Sequence, residues 1–267
     1  MHVVTAYPDG IFCWLDLAAT DADAAKAFYS GLFGWEMRDM LTDMVTIYTN
    51  VQIDGLNVAG LSVMQSEMLA QGIPAFWTSY IKTDDIDAAA ARITAAGGNV
   101  FMPPMDVMQE GRLALAMDPT GAPFGMWQPR NHIGAQLVNM PNTLVWNELQ
   151  TRDGAAAAAF YAKAFDWVAD RNDSNYTVFV RDGRRHAGMI EMDENWGADV
   201  PPNWGIYFLV TDIDATLARA QDLGGRVLVP RTPAGQMGFF AVLQDPQGGV
   251  FHVMQSDPQF VDPPPGA

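Results

Sequence analysis

Cysteine occurs once in the 267 residues, at position 13. That excludes an internal disulfide and a cysteine-cluster metal site, and it fits a reducing compartment. Its apolar neighbours give Cys13 an inert packing role. Positive charge is also scarce, with 15 Lys and Arg against 31 Asp and Glu and a formal net charge of -16. Such a chain repels nucleic acid and anionic lipid, so neither is expected as a partner. No apolar run reaches the ~18 residues of a membrane span, and the opening MHVVTAYPDG has neither the basic nor the apolar region of a secretory signal. A cytoplasmic protein is expected. The phosphate-cradling patterns GxGxxG and GxxxxGK with a following Ser or Thr are missing, as is any Ser-His-Asp arrangement.

Apolar residues, by contrast, make up 49% of the chain, ample for the cores of two ordinary domains. Self-comparison shows why two are expected. Residues 74–128 match 201–255 at a constant offset of 127, with 21 identities in 55 positions. The opening segments FCWLDLAATDADAAKAFYSGLFGW (12–35) and LVWNELQTRDGAAAAAFYAKAFDW (144–167) match at offset 132, and Ala59-Gly60 matches Ala187-Gly188 at 128. The second copy has therefore lost five residues, most of them before position 59 of the first.

Within a copy the pattern repeats again. Residues 12–18 alternate as a strand, with Cys13, Leu15 and Leu17 on one side and Trp14, Asp16 and Ala18 on the other. Thr20 or Asp21 can cap a helix that Gly34 ends. Strand-like pieces follow near 44–50 and 57–64. The unit then restarts with a strand at 76–82, a helix opened by Asp84 or Asp85 and closed by Gly97-Gly98, and strands near 99–102, 112–117 and 123–128.

The series strand, D-x-x-x-A-x-x-FY-x-x-x-FGW, VAGL, D-D-I-D, Gly-Gly and DPxGxxF resembles the vicinal oxygen chelate superfamily, which includes glyoxalase I, extradiol dioxygenases and bleomycin-resistance proteins. The resemblance covers about 10–128 and 142–255. It implies an α+β fold of four βαβββ modules forming two paired, half-open β-barrel cups. The tandem domains would span 1–130 and 142–256, with a linker at 131–141. The tail at 257–267 reads as disordered.

In that family the metal ligands lie mid-way along the first strand of each module and on the last strand. Here those positions hold Trp14, Thr78 and Gly125 in the first cup and Trp146, Gly205 and His252 in the second. A catalytic metal normally needs three protein ligands, so no cofactor is expected, with a divalent-metal lyase or dioxygenase as the lower alternative. Strand parity instead sends Trp14, Asp16, Tyr80, Trp127, Trp146, Tyr207 and Met254 toward the cups as candidate ligand-binding residues. Large aromatic faces suit a flat aromatic or polyketide-like small molecule.

Glu148 and His252 form the candidate acid–base pair, which points to isomerase- or lyase-type chemistry on an aromatic or carbonyl-bearing metabolite. The competing readings pair Glu148 with Arg181 or Arg185 and leave His252 a satisfied strand residue. The resemblance also implies a separate alternative, a non-catalytic binder that sequesters a drug or metabolite as bleomycin-resistance proteins do. His132, in the linker, and His186, where Val58 stands in the first copy, carry weaker signals. The expected assembly is a monomer or homodimer.

Overall fold

The computed structural model describes residues 3–42, 46–171 and 176–257. The first half runs β1 (Phe12–Ala19), α1 (Ala22–Phe33), β2 (Glu36–Thr42), β3 (Thr46–Ile53), β4 (Leu56–Val63), a short α2 (Ser66–Ala70), β5 (Phe76–Lys82), α3 (Ile86–Ala95), β6 (Asn99–Val107), β7 (Gly111–Met117) and β8 (Pro123–Pro129). The second runs β9 (Leu144–Thr151), α4 (Gly154–Phe165), β10 (Val168–Arg171), β11 (Tyr176–Arg181), β12 (Arg184–Glu191), β13 (Asn203–Leu209), α5 (Ile213–Asp222), β14 (Arg226–Pro233), β15 (Gly238–Gln244) and β16 (Val250–Ser256). Each half forms one eight-stranded sheet, ordered β2-β3-β4-β1-β5-β8-β7-β6 and β10-β11-β12-β9-β13-β16-β15-β14. The four βαβββ modules thus pair into two cup-like sheets rather than closed barrels. The tail expected to be disordered lies, beyond Asp257, outside the described residues.

Each long helix begins on an aspartate whose side chain accepts the N–H three residues on. Asp21 takes that of Ala24, Asp85 of Ala88, Asp153 of Ala156 and Asp212 of Ala215. Gly34, at φ 71, closes α1 in the left-handed conformation.

Besides the short α2, for which no helix was expected, three features depart from the sequence reading. β2 has no apolar alternation and takes its place as an edge strand through backbone pairing with β3 alone. β6 runs past the expected 99–102, and its Pro103 and Pro104 are tolerated because it is the other edge. The third is Cys13. A register shift between Phe12 and Trp14 turns it into the cluster of Trp14, Tyr80 and Trp127 rather than beside Leu15 and Leu17.

The helices pack crosswise. One core joins Leu15, Leu17, Phe28, Tyr29 and Phe33 of the first half to Phe208, Ile213, Leu243 and Phe251 of the second. Another joins Ile81, Ile86, Phe124 and Met126 to Phe160, Tyr161, Phe165 and Trp167. The repeated motifs are what fit the halves together. Tyr29 Oη donates to Asp245 Oδ2 (2.9 Å) and Tyr161 Oη to Asp118 Oδ2 (3.1 Å), so the FY of each half meets the DPxG turn of the other. Trp77 and Trp204 Nε1 donate to those same phenols at 3.0 and 2.8 Å. The second glycine of each Gly-Gly pair leaves room for the partnering phenylalanine: a Cβ on Gly98 would stand 2.7 Å from Phe160, and one on Gly225 3.0 Å from Phe28.

Candidate functional site

With the helices on the outer faces, the inner face of each sheet carries the other strand parity. In the second cup, backbone register sets Trp146 of β9, Tyr207 of β13 and His252 of β16 side by side, with Glu148 and Gly205 abreast one step along. In the first cup Trp14, Tyr80 and Gly125 form the equivalent row, and Asp16 and Thr78 the next.

Each cup holds a carboxylate between two phenols. Tyr207 Oη donates to Glu148 Oε1 at 2.8 Å, and Tyr176 donates to the same carboxylate. Trp146 Nε1 in turn donates to Tyr176 Oη at 2.9 Å. The first cup repeats this, with Trp14 Nε1 donating to Tyr48 Oη (3.0 Å) and Asp16 Oδ2 accepting from Tyr80 (3.2 Å) and Tyr48 (3.5 Å). Burial pushes the Asp16 carboxyl up to about 7, against the lowering effect of the two phenols, and raises Glu148 for the same reason. Burial, and then the neighbouring carboxylate, push Tyr48, Tyr80, Tyr176 and Tyr207 upward as well, so the phenols stay protonated donors.

Tyr48 and Tyr176 escaped the sequence reading, although a signal was present. Tyr48-Thr49 and Tyr176-Thr177 match at offset 128, the offset of Ala59-Gly60 and Ala187-Gly188. Those glycines give the phenols their space, since a Cβ on Gly60 or Gly188 would collide with the hydroxyl of Tyr48 or Tyr176.

His252 is engaged on both sides of its ring. Nδ1 lies 3.2 Å from Ile206 O and Nε2 3.2 Å from Gln150 Nε2. A carbonyl can only accept and an amide nitrogen can only donate, so Nδ1 carries the proton and the ring is neutral. Burial lowers its pKa to about 4. The ring stacks on Tyr207 with centroids 4.3 Å apart. No hydrogen bond joins Glu148 and His252 directly; Tyr207 stacks on the ring and bonds to the carboxylate, and the Gln150 side chain bonds to both. Arg181 is turned away from Glu148, toward Phe165 O and Asp9, Asp166 and Asp182.

The six family ligand positions do not make a metal-binding set. Both ring nitrogens of His252 are taken, the two indoles donate to phenols, the Tyr80 ring fills the space beside Gly125, and a Cβ on Gly205 would stand 2.7 Å from His252 Cε1. Among the described residues no group of three or more His, Cys, Asp and Glu side chains gathers.

The two cups differ in cover. The linker lies across the first. His132 packs edge-on against Trp14, its centroid 4.4 Å away, and its carbonyl accepts from Trp127 Nε1 at 2.7 Å. The N–H of Ala135 bonds to Cys13 O and Tyr7 Oη to Ala135 O. Trp14 is left 3% exposed and Trp127 5%, whereas Trp146 keeps partial exposure. Met254 and Tyr207 are buried in the second cup. No helix among the described residues is long and apolar enough to cross a membrane.

Comparison with known proteins agrees with this architecture. Residues 11–126 match the family model of the Glyoxalase/Bleomycin resistance protein/Dioxygenase superfamily, and 146–254 that of a Glyoxalase-like domain. CFP32 of Mycobacterium tuberculosis, which carries a provisional glyoxylase name, is 38% identical over 95% of this chain and 97% of its own. The anthracycline biosynthesis protein DnrV of Streptomyces peucetius is 36% identical over 94% of this chain and 95% of its own. Among solved structures, the Mn(II)-bound glyoxalase of Novosphingobium aromaticivorans aligns with a TM-score of 0.64 at 14% identity, covering 92% of this chain and 82% of that one. The 2,3-dioxygenase LapB of Pseudomonas sp. KL28 also reaches 0.64, at 12% identity over 96% and 97%. The chain belongs to the Glyoxalase/Bleomycin resistance protein/Dioxygenase superfamily.

Proposed function

We propose that the second cup binds a flat aromatic, carbonyl-bearing small molecule and that Glu148 moves a proton on it, in an isomerase- or lyase-type reaction that requires no metal ion. The carrying observation is the carboxylate itself: buried, raised in pKa by that burial, and held by Tyr176 and Tyr207 beside the partly exposed Trp146. A base with a raised pKa is matched to proton abstraction near neutrality. It would take the proton from a carbon next to the substrate carbonyl, the electron pair would move onto the carbonyl oxygen, and the proton would return to the rearranged substrate or to its leaving group.

His252, whose ring nitrogens are already engaged, then serves to hold Tyr207 and through it Glu148. Relatives named for anthracycline biosynthesis make polycyclic aromatic ketones the first compounds to test.

Incubation in D2O with such a panel, read by mass spectrometry, tests the chemistry. Deuterium is expected to enter the enolisable position of the ligand, at a rate reduced ~100-fold or more in Glu148→Gln. Tight binding seen by tryptophan fluorescence, with no exchange and no product, would instead favour the sequestering role. A stoichiometric metal in tag-free protein would overturn the metal-independent part.

A further inference from the structure

The seam between the halves holds a cavity of about 70 Å3 that meets the second cup at Trp146 but is lined by neither Glu148 nor its two phenols. Ile11 and Phe12 from the start of β1, Val138 from the linker and Arg184, Arg185 and His186 from β12 line it. His186 is the unusual member. Both ring nitrogens are buried without a hydrogen-bond partner among the described residues, and the ring rests on Trp167 with centroids 4.5 Å apart. Burial, helped by the guanidiniums of Arg181 and Arg184, lowers its pKa to about 3. At neutral pH it therefore offers one N–H and one lone pair.

The internal repeat shows that the fold does not require these residues. At offset 128 the first half has Leu56-Asn57-Val58 where the second has Arg184-Arg185-His186, and Val58 is plain core at 1% exposed. Two arginines and an imidazole thus replace Leu, Asn and Val at one cavity, in a chain that carries 31 acidic and only 15 basic residues. No carboxylate is among the described residues lining it. A buried polar ring with no partner is costly unless something completes its hydrogen bonds.

We propose that this cavity is a binding site for a small monocarboxylate, with the anion accepting from the His186 N–H beside Arg185 and the short apolar body lying on Ile11, Phe12 and Val138. A volume of this size holds a few heavy atoms, which fits an aliphatic acid of a few carbons and not the larger aromatic ligand assigned to the second cup.

The test uses the full chain, with butyrate as the probe, butyramide as its uncharged counterpart and inorganic phosphate as the competing anion. Binding is measured by calorimetry and by the ring resonances of His186 in NMR. Butyrate is expected to shift those resonances and to bind at least tenfold more tightly than butyramide or phosphate. Affinity is expected to fall at least tenfold both in His186→Val, which installs the residue of the other half, and in Arg185→Gln at an exposed position that the fold does not need. Glu148→Gln is expected to leave butyrate binding unchanged, which separates this site from the cup chemistry. Equal affinity for butyramide, preference for phosphate, unmoved His186 resonances, or full affinity in Arg185→Gln would each overturn the assignment.

Discussion

A single carboxylate in each cup determines how that cup responds to pH. Asp16 has its folded pKa raised by burial to about 7, so the fold favours its protonated form. The stability it contributes is complete below the unfolded value near 4 and is lost as the pH rises through 7. Asp16→Asn, which mimics the protonated side chain, is expected to gain on the wild type by roughly 4 kcal/mol at most between pH 4 and pH 8. Denaturant unfolding of both proteins across that range reads the difference, and a constant gap would contradict the buried-acid description. Gly188→Ala tests the space beside Tyr176, because its Cβ would strike the phenol that holds Glu148. A loss of about 1–3 kcal/mol is expected from thermal unfolding, as for overpacked cores generally. At this scale the sequence was legible only in part. Strand alternation brought out Trp14, Asp16, Trp146, Glu148 and Tyr207, because parity fixes a face. It could not bring out Tyr48 or Tyr176, which approach from the third strand of a module, where hairpin length differs between the copies. Nor could it show that Gln150 and Ile206 O would occupy both nitrogens of His252.

Among elements, α1 and α4 are the ones whose removal would be felt furthest away. Each is pinned by a phenol to an aspartate of the opposite half, and each phenol also accepts from an indole. Tyr29→Phe and Tyr161→Phe are each expected to cost about 2 kcal/mol, the value of a buried hydrogen bond to a charged group. The two losses are expected to add in the double variant, because the pins share no partner. Chemical denaturation of the two single variants and the double measures both expectations. The helices themselves were legible from Asp caps and apolar spacing, and α1 also from Gly34 after it, whereas α4 ends on Asp166 in the left-handed conformation. β2 was not, because an edge strand paired on one side leaves no apolar signature in its sequence.

For the molecule as a whole, the repeat visible in the sequence misleads in one respect: it suggests two halves that each fold alone. Leu15, Phe28 and Tyr29 share a core with Phe208, Leu243 and Phe251, so neither half encloses its own helix. Trp35 Nε1 bonds to Asn142 O and Trp167 Nε1 to Gly10 O, adding two further ties across the chain. Residues 1–130 and 142–256 produced separately are expected to show little cooperative unfolding by calorimetry, and mixing them is expected to restore a single transition. Two separate transitions at native-like temperatures would refute the shared core. The crosswise pins also bear on how such a protein can change over generations. A drift in the FY of one repeat is answered 216 residues away in the DPxG turn of the other. After duplication, the two repeats were therefore free to diverge inside their cups but tied at their outer faces, and correlated substitutions in related sequences are to be sought between the repeats rather than within them.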